Sequence, residues 1–171
     1  MFEIRKAVPD DALGIAIVNV YTWKTTYTGL MPDDVIDSRI AELRARAEQL
    51  KADIEANDNF YAAVAGSTVV GFCIYGPSRN EAFGDAGEIF ALYVLKGFQG
   101  TGVGRALFSA GAAALLASGR RGMIVNCLAG NPALAFYRHM GGRIVGRRAD
   151  ELAGARLVEE ILFFENPEQI T

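Results

Sequence analysis

The sequence predicts an α/β (α+β) domain on a mixed sheet, with elements in the order β-α-α-β-β-β-α-β-α-β-β. Three observations predict it. Apolar residues switch between strand and helix periods along the chain. Both tight turns and long crossovers join the segments, which calls for antiparallel and parallel pairs in one sheet. No repeat, linker or low-complexity stretch interrupts 171 residues, a length that suits one core and is short for two, so residues 1–171 read as a single domain.

Phe2 to Ala7 (FEIRKA) alternates and opens the chain as a strand. Pro9-Asp10-Asp11 then starts a helix through ALGIAIVNVYTWKTTY, which TGLMP breaks at Gly29 and Pro32. From about Pro32 to Asn57 the text is charged and mostly acidic, with apolar residues from Val35 to Ile54 at a helical period. FYAAVA and VVGFCIYG flank Gly66-Ser67 as a hairpin. Glu88 to Leu95 (EIFALYVL) is apolar on both faces, the mark of a central strand. VGRALFSAGAAALLAS is a helix ended by Gly119, and MIVNCL is a buried strand. NPALAFYRHM is a short helix with Asn131 as N-cap, Pro132 in its first turn and Gly141-Gly142 at its end. GRIVGRR and ARLVEEILFFE close the chain as two strands.

Composition narrows the function. The chain is 51% hydrophobic and 22% charged, ordinary for a soluble globular protein. No apolar run reaches the roughly 18 to 20 residues of a membrane helix. The start, MFEIRKAVPDD, lacks the plan of a signal peptide, so a cytoplasmic location is expected. Cys73 and Cys127 sit in apolar runs and read as buried free thiols. One histidine and no Cys-x-x-Cys leave no expectation of a metal. The net charge of -3 hides an asymmetry. Ile89 to Ala149 contains no Asp or Glu but holds Lys96, Arg105, Arg120, Arg121, Arg138, Arg143, Arg147 and Arg148, a charge of +8 that leaves -11 elsewhere. Such a segment suits a confined polyanion site, while the acidity of the whole argues against nucleic acid.

Inside that segment, LYVLKGFQGTGVGRALF joins a strand to a helix through clustered glycines. This is a phosphate-binding arrangement: free N–H groups and the helix dipole meet the anion, and glycines let it approach. A P-loop needs Lys-[Ser/Thr] after its last glycine, but Gly104 precedes Arg105-Ala106. A dinucleotide loop needs a third glycine and a ribose-binding acid about 20 residues on, yet Arg105 stands at the glycine position and no acid occurs before Asp150. What remains is Gln99-Gly100-Thr101-Gly102-Val103-Gly104, the pattern Gln/Arg-x-x-Gly-x-Gly/Ala.

With the preceding strand, the alanine-rich helix and NPALAFYRHMGG, this pattern resembles the GNAT superfamily of N-acetyltransferases, and the element order matches over nearly the whole chain. The resemblance implies a central, mostly antiparallel twisted sheet of about seven strands with about four helices. It also implies acetyl-CoA as co-substrate, its pyrophosphate held by the backbone from Gln99 to Gly104, with Thr101 and Val103 inside that loop. Arg105 is expected to meet a phosphate, and Asn131 to contact the coenzyme besides capping its helix. The backbone of Leu92, Tyr93 and Val94 is expected to pair with the pantetheine arm and the acetyl carbonyl, as an added strand pairs with an open edge. Glu88, which begins that strand and is followed by no acid until Asp150, is expected to be the general base and to meet the acceptor; Tyr137 is expected to protonate the departing thiolate. His139 faces another side of the helix from Tyr137 and is not assigned a role.

YTWKTTYTGLMP (Tyr21 to Pro32) resembles a GNAT subgroup in which this region covers the acceptor. Trp23 and Tyr27, four apart on one helical face, are expected to wall the acceptor site, and the acidic segment that follows favours a cationic amine. The expected activity is acetyl transfer to a primary amine of a small molecule or peptide, without nucleic acid or membrane as partner. A non-catalytic acyl-CoA sensor on the same fold is the alternative reading. A homodimer through LVEEILFFE is expected, because an unprotected strand edge there would invite pairing.

Overall fold

A computed structural model describes residues 1–29, 32–152 and 155–170. Its elements are β1 (Glu3–Lys6), α1 (Ala12–Tyr27), α2 (Asp33–Ala41), α3 (Leu43–Ala56), β2 (Phe60–Ala65), β3 (Thr68–Pro77), β4 (Gly87–Val94), α4 (Val103–Ala117), β5 (Met123–Leu128), α5 (Ala133–His139), β6 (Arg143–Leu152) and β7 (Ala155–Phe164). The strands form one seven-stranded sheet in the order β1-β2-β3-β4-β5-β7-β6. β4 and β5 run parallel, while β1/β2, β2/β3, β5/β7 and β6/β7 are antiparallel. The mixed sheet and its seven strands match the expectation, and β4 is the middle strand, as its apolar faces predict.

Two expectations are corrected. The charged segment forms two helices, so the described chain has five α-helices rather than four. The break falls at Glu42, whose N–H turns back to the carbonyls of Ile40 and Ser38. The apolar rhythm Ile40, Leu43, Ala47 runs through the break at helical spacing, so periodicity does not mark it. The second correction concerns β7, which was expected to offer a free edge. It is hydrogen-bonded to β5 on one side and β6 on the other, so β6 forms that edge of the sheet. Leu30 and Met31, within the segment expected to break the first helix, lie outside the described residues; α1 ends at Tyr27 and Gly29 has φ 82°.

The chain divides into two compact units. The first comprises Met1–Ile74 and Ala91–Ala110. Its core joins α1 and α3 to the hairpin through Ile15, Val18, Ile54, Phe60, Ala62 and Phe72. α1 is buried along much of its circumference, which explains its nearly uninterrupted apolar text. Gly14 lets it approach the sheet: a Cβ there would stand 2.8 Å from Val69. At its entry, the Asp11 carboxylate accepts from the Val8 N–H (2.8 Å) and pairs with Arg5 through two hydrogen bonds of 2.6 and 2.9 Å. Burial pushes the Asp11 carboxyl up, but Arg5 and Val8 together hold it below its ordinary value.

The second unit comprises Tyr75–Phe90 and the chain from Gly111 onward. Its centre is β5, where Met123, Ile124 and Val125 are buried beside Leu162 and Phe164 of β7. Arg143, Arg147 and Arg148 pair with Glu165, Glu160 and Glu159. Three of the eight cations in the acid-free run are therefore neutralised by carboxylates that lie later in the chain. Among the described residues, no helix is long and apolar enough to cross a membrane.

Candidate active site

In the first unit, the glycine loop connects β4 to α4. Val103, Leu107 and Phe108 are fully buried and fix the start of α4. Two glycines carry the loop's shape: Gly100 has φ 74° and Gly102 φ 91°, a region L-residues adopt at a cost. A Cβ at either would meet nothing within 4 Å, so the backbone faces open space. The first helical bond crosses from Ala106 N–H to the Gly102 carbonyl (3.0 Å), which leaves the N–H groups of Val103, Gly104 and Arg105 ahead of the hydrogen-bonded ladder. These N–H groups and the positive end of a 15-residue helix face an uncrowded loop. The cradle fits a phosphate-bearing group such as coenzyme A.

The loop's side chains mostly serve the loop itself. The Gln99 amide donates to the Val94 carbonyl (3.1 Å), and the Thr101 hydroxyl donates to the Phe98 carbonyl (2.7 Å). The first ties the turn to the end of β4, and the second closes the turn on itself. Arg105 and Lys96 are exposed. Leu92 and Tyr93 are partly buried and Val94 is buried.

The structure brings Trp23 and Tyr27 together on α1, with ring centroids 4.7 Å apart. It also joins them to a residue expected at the coenzyme: Trp23 Nε1–H donates to the Tyr93 hydroxyl (3.2 Å), and Tyr93 packs against Phe72. The sequence reading missed a third member. Arg39 of α2 lays its guanidinium over the Trp23 ring, 3.4 Å from the centroid. Burial, then the charge of Arg46, lowers the Arg39 pKa against weaker upward pulls from Tyr93, Tyr27 and Glu42.

In the second unit, Glu88 is buried, 1% exposed, at the start of β4. Its Oε2 accepts from the Arg79 backbone N–H (2.8 Å). Its Oε1 accepts from Arg79 Nη2 (2.7 Å) and Asn126 Nδ2 (3.1 Å). The Arg79 side chain is 62% exposed and stacks on Phe90, 4.2 Å from the ring centroid. Among the described residues, the Asn126 amide oxygen is buried without a hydrogen-bond partner. Sequence reasoning missed both neighbours. Asn126 had left a signal as the one polar residue in the apolar strand MIVNCL; Arg79, in a loop, left none.

Asn131 is buried, and its side-chain oxygen accepts from the Ala133 N–H (2.9 Å). It thus caps α5 as expected, although the helix proper starts at Ala133. Tyr137 is buried with its ring against Phe136, whereas His139 is exposed. Cys73 and Cys127 are buried free thiols. Burial pushes both upward, Cys127 to about 12 with Glu159 and Glu160 adding to the effect. No cluster of three potential metal-binding side chains occurs among the described residues.

The chain is similar to known proteins in sequence and in fold. Residues 56–141 match the family model described as an acetyltransferase (GNAT) domain. The uncharacterized N-acetyltransferase YuaI of Bacillus subtilis is 35% identical over 162 residues, covering 93% of this chain and 90% of that protein. The spermidine N(1)-acetyltransferase of Thermoplasma acidophilum is 28% identical over 109 residues, 61% of this chain and 65% of its own. In three dimensions, the PaiA N-acetyltransferase of Thermoplasma acidophilum in complex with coenzyme A superposes with a TM-score of 0.69 at 21% identity, over 94% of this chain and 98% of that one.

Proposed function

The chain belongs to the GNAT family of acetyltransferases and is an N-acetyltransferase; from that premise we propose that it moves an acetyl group from acetyl-CoA to the primary amine of a small molecule or peptide, by direct attack while both reactants are bound. Acetyl-CoA supplies the activated thioester. The observation that carries the proposal is the open glycine cradle at the start of α4, with positive φ at Gly100 and Gly102. The N–H groups of Val103 and Gly104 receive the pyrophosphate, Arg105 adds a charge-assisted contact, and Gln99 and Thr101 keep the loop in shape. The backbone from Leu92 to Val94 aligns the thioester, and Asn131 adds a contact beyond its cap.

Glu88 takes the amine's proton, directly or through water. Among the described residues, Oε1 accepts from both Arg79 and Asn126, so proton transfer to Oε1 requires the exposed Arg79 arm to swing aside. The unpartnered Asn126 oxygen is an acceptor suited to one N–H of the amine while Asn126 Nδ2 holds Glu88. Tyr137 donates to the departing thiolate. Trp23 and Tyr27 wall the acceptor site. The spermidine enzyme among the relatives supports a small amine as acceptor. Residues 1–171 act as one domain, in the cytoplasm, and a homodimer would use the β6 edge.

Amine-dependent release of free coenzyme A, followed with a thiol reagent across an amine panel, tests the proposal. Cys73 and Cys127 add little background because both are buried. Release that rises with an added amine is expected; tight acetyl-CoA binding with no release for any amine would make the chain a sensor instead.

A further inference from the structure

Glu88 is a buried carboxylate paired with an arm that solvent reaches. Its Oε1 meets Arg79 Nη2 at 2.7 Å, and most of the Arg79 side chain is exposed. The same guanidinium lies over the Phe90 ring, 4.2 Å from its centroid. Glu88 and Phe90 are two apart on β4 and so share a face. Gly76 of β3 makes room for that ring: a Cβ there would stand 2.8 Å from it. Asn126 completes the set, with an Oδ1 that has no hydrogen-bond partner among the described residues. All five residues belong to the second unit.

A buried carboxylate, an aromatic face and a spare amide oxygen are the groups that receive an ammonium ion. Here the chain's own guanidinium fills the carboxylate and the ring. The backbone beneath it is pinned. Ser78 N–H donates to the Ala86 carbonyl (3.0 Å), and Arg79 N–H itself holds Glu88 Oε2 (2.8 Å). Only the exposed side chain has to leave for Oε1 and the Phe90 face to open. We propose that Arg79 is a specificity-determining plug: its guanidinium occupies the acceptor's ammonium site, and the amine enters as a cation by displacing it. This rests on the acetyl-transfer reading above and adds a selection rule to it. A tethered group competes at an effective concentration on the order of millimolar. A small monoamine with no second anchor therefore loses to Arg79, while a longer amine with further contacts displaces it. The substrate class is an extended alkylamine rather than a minimal one. Displacement also sets an N–H of the ammonium against Oε1, the atom that takes its proton.

Binding is read before turnover. Ethylammonium, ethylguanidinium and the neutral ethylurea are titrated into the full chain by calorimetry, with melting temperature followed beside it. The wild type should bind all three weakly. Arg79→Ala keeps the backbone N–H on Glu88 Oε2. It should bind both cations at least about tenfold more tightly, as for a gained charge-assisted hydrogen bond, and ethylurea no better. Both cations should also raise its melting temperature. Arg79→Gln, which keeps the stem and drops the charge, carries the same expectation should the alanine variant fail to fold. Arg79→Lys keeps the charge without the planar fork and should lie between the variant and the wild type. Glu88→Gln in the Arg79→Ala background should abolish the gain. Arg156→Gln removes an exposed cation of the same unit and should behave as the wild type. In turnover, Arg79→Ala should lower KM for ethylamine about tenfold with kcat within about threefold. Cation affinity unchanged in a folded Arg79→Ala or Arg79→Gln protein, an equal gain for ethylurea, or the same gain in Arg156→Gln would overturn the proposal. Tighter cation binding without acetylation of any amine would keep the plug and sink the transfer reading. Acetylation with an unchanged KM for ethylamine in Arg79→Ala would keep the enzyme and sink the plug.

Discussion

The glycine loop after β4 and the aromatic wall on α1 both belong to the first unit, yet they are built on opposite principles. The loop's chemistry is backbone chemistry. Its shape follows from Gly100 and Gly102, and its two side-chain hydrogen bonds close on backbone carbonyls of the loop and of the strand end before it. The wall's chemistry is side-chain chemistry, assembled from Trp23 and Tyr27 on α1, Arg39 on α2 and Tyr93 on β4. Local spacing carries function in the loop, whereas at the wall the pairing of helix and strand faces decides it. Removing a side chain should matter at the wall and little at the loop; changing backbone freedom should do the reverse.

The largest effect expected from that contrast is at the wall. Trp23 is buried, so Trp23→Ala should cost about 3–5 kcal/mol in denaturant unfolding. A loss under about 1 kcal/mol would mean that the wall is loosely packed. Next is Gly102→Val, which forces a β-branched residue to φ 91°. Strain of about 1–3 kcal/mol, expressed in the bound loop, should weaken coenzyme A by about 10- to 100-fold in calorimetry. Thr101→Ala, by contrast, removes one hydrogen bond to the Phe98 carbonyl and should cost about 1 kcal/mol of stability, with coenzyme affinity changed by no more than about threefold. A hundredfold loss there would break the comparison, because the loop would then depend on its side chains.

The smallest effect separates global stability from both regions. Arg5 and Val8 hold Asp11 below its unfolded value of about 3.9. The pair's contribution is therefore complete above about pH 4 and is lost as pH falls through the lower folded value. Asp11→Asn should remove about 1 kcal/mol or less at pH 7 and flatten the acid limb of stability, leaving coenzyme affinity as it was. An unchanged acid limb would show that the pair is screened away.

The same contrast explains what the sequence made legible. The central position of β4, the hairpin at Gly66, the loop and the Asn131 cap depend on residues close in sequence, and all are present. Charge read as a sum misled. The acid-free run is partly neutralised because β7 supplies Glu159, Glu160 and Glu165 to Arg148, Arg147 and Arg143. The acidic helices turn Arg39 inward, against the sign of their composition. Glu88 could be singled out on its strand, but its partners Arg79 and Asn126 meet it only through tertiary structure, 9 and 38 residues away. The unpaired edge fell to β6 rather than β7 because strand order in a sheet is not sequence order.

The central claim is chemical transfer, and Glu88→Gln tests it most directly because the amide keeps the size of the side chain and removes its charge. Steady-state release of coenzyme A is measured at saturating acetyl-CoA and amine, beside calorimetric affinity for coenzyme A. A kcat lower by about 100-fold or more with coenzyme affinity unchanged is expected. A folded Glu88→Gln protein that turns over at the wild-type rate would contradict it.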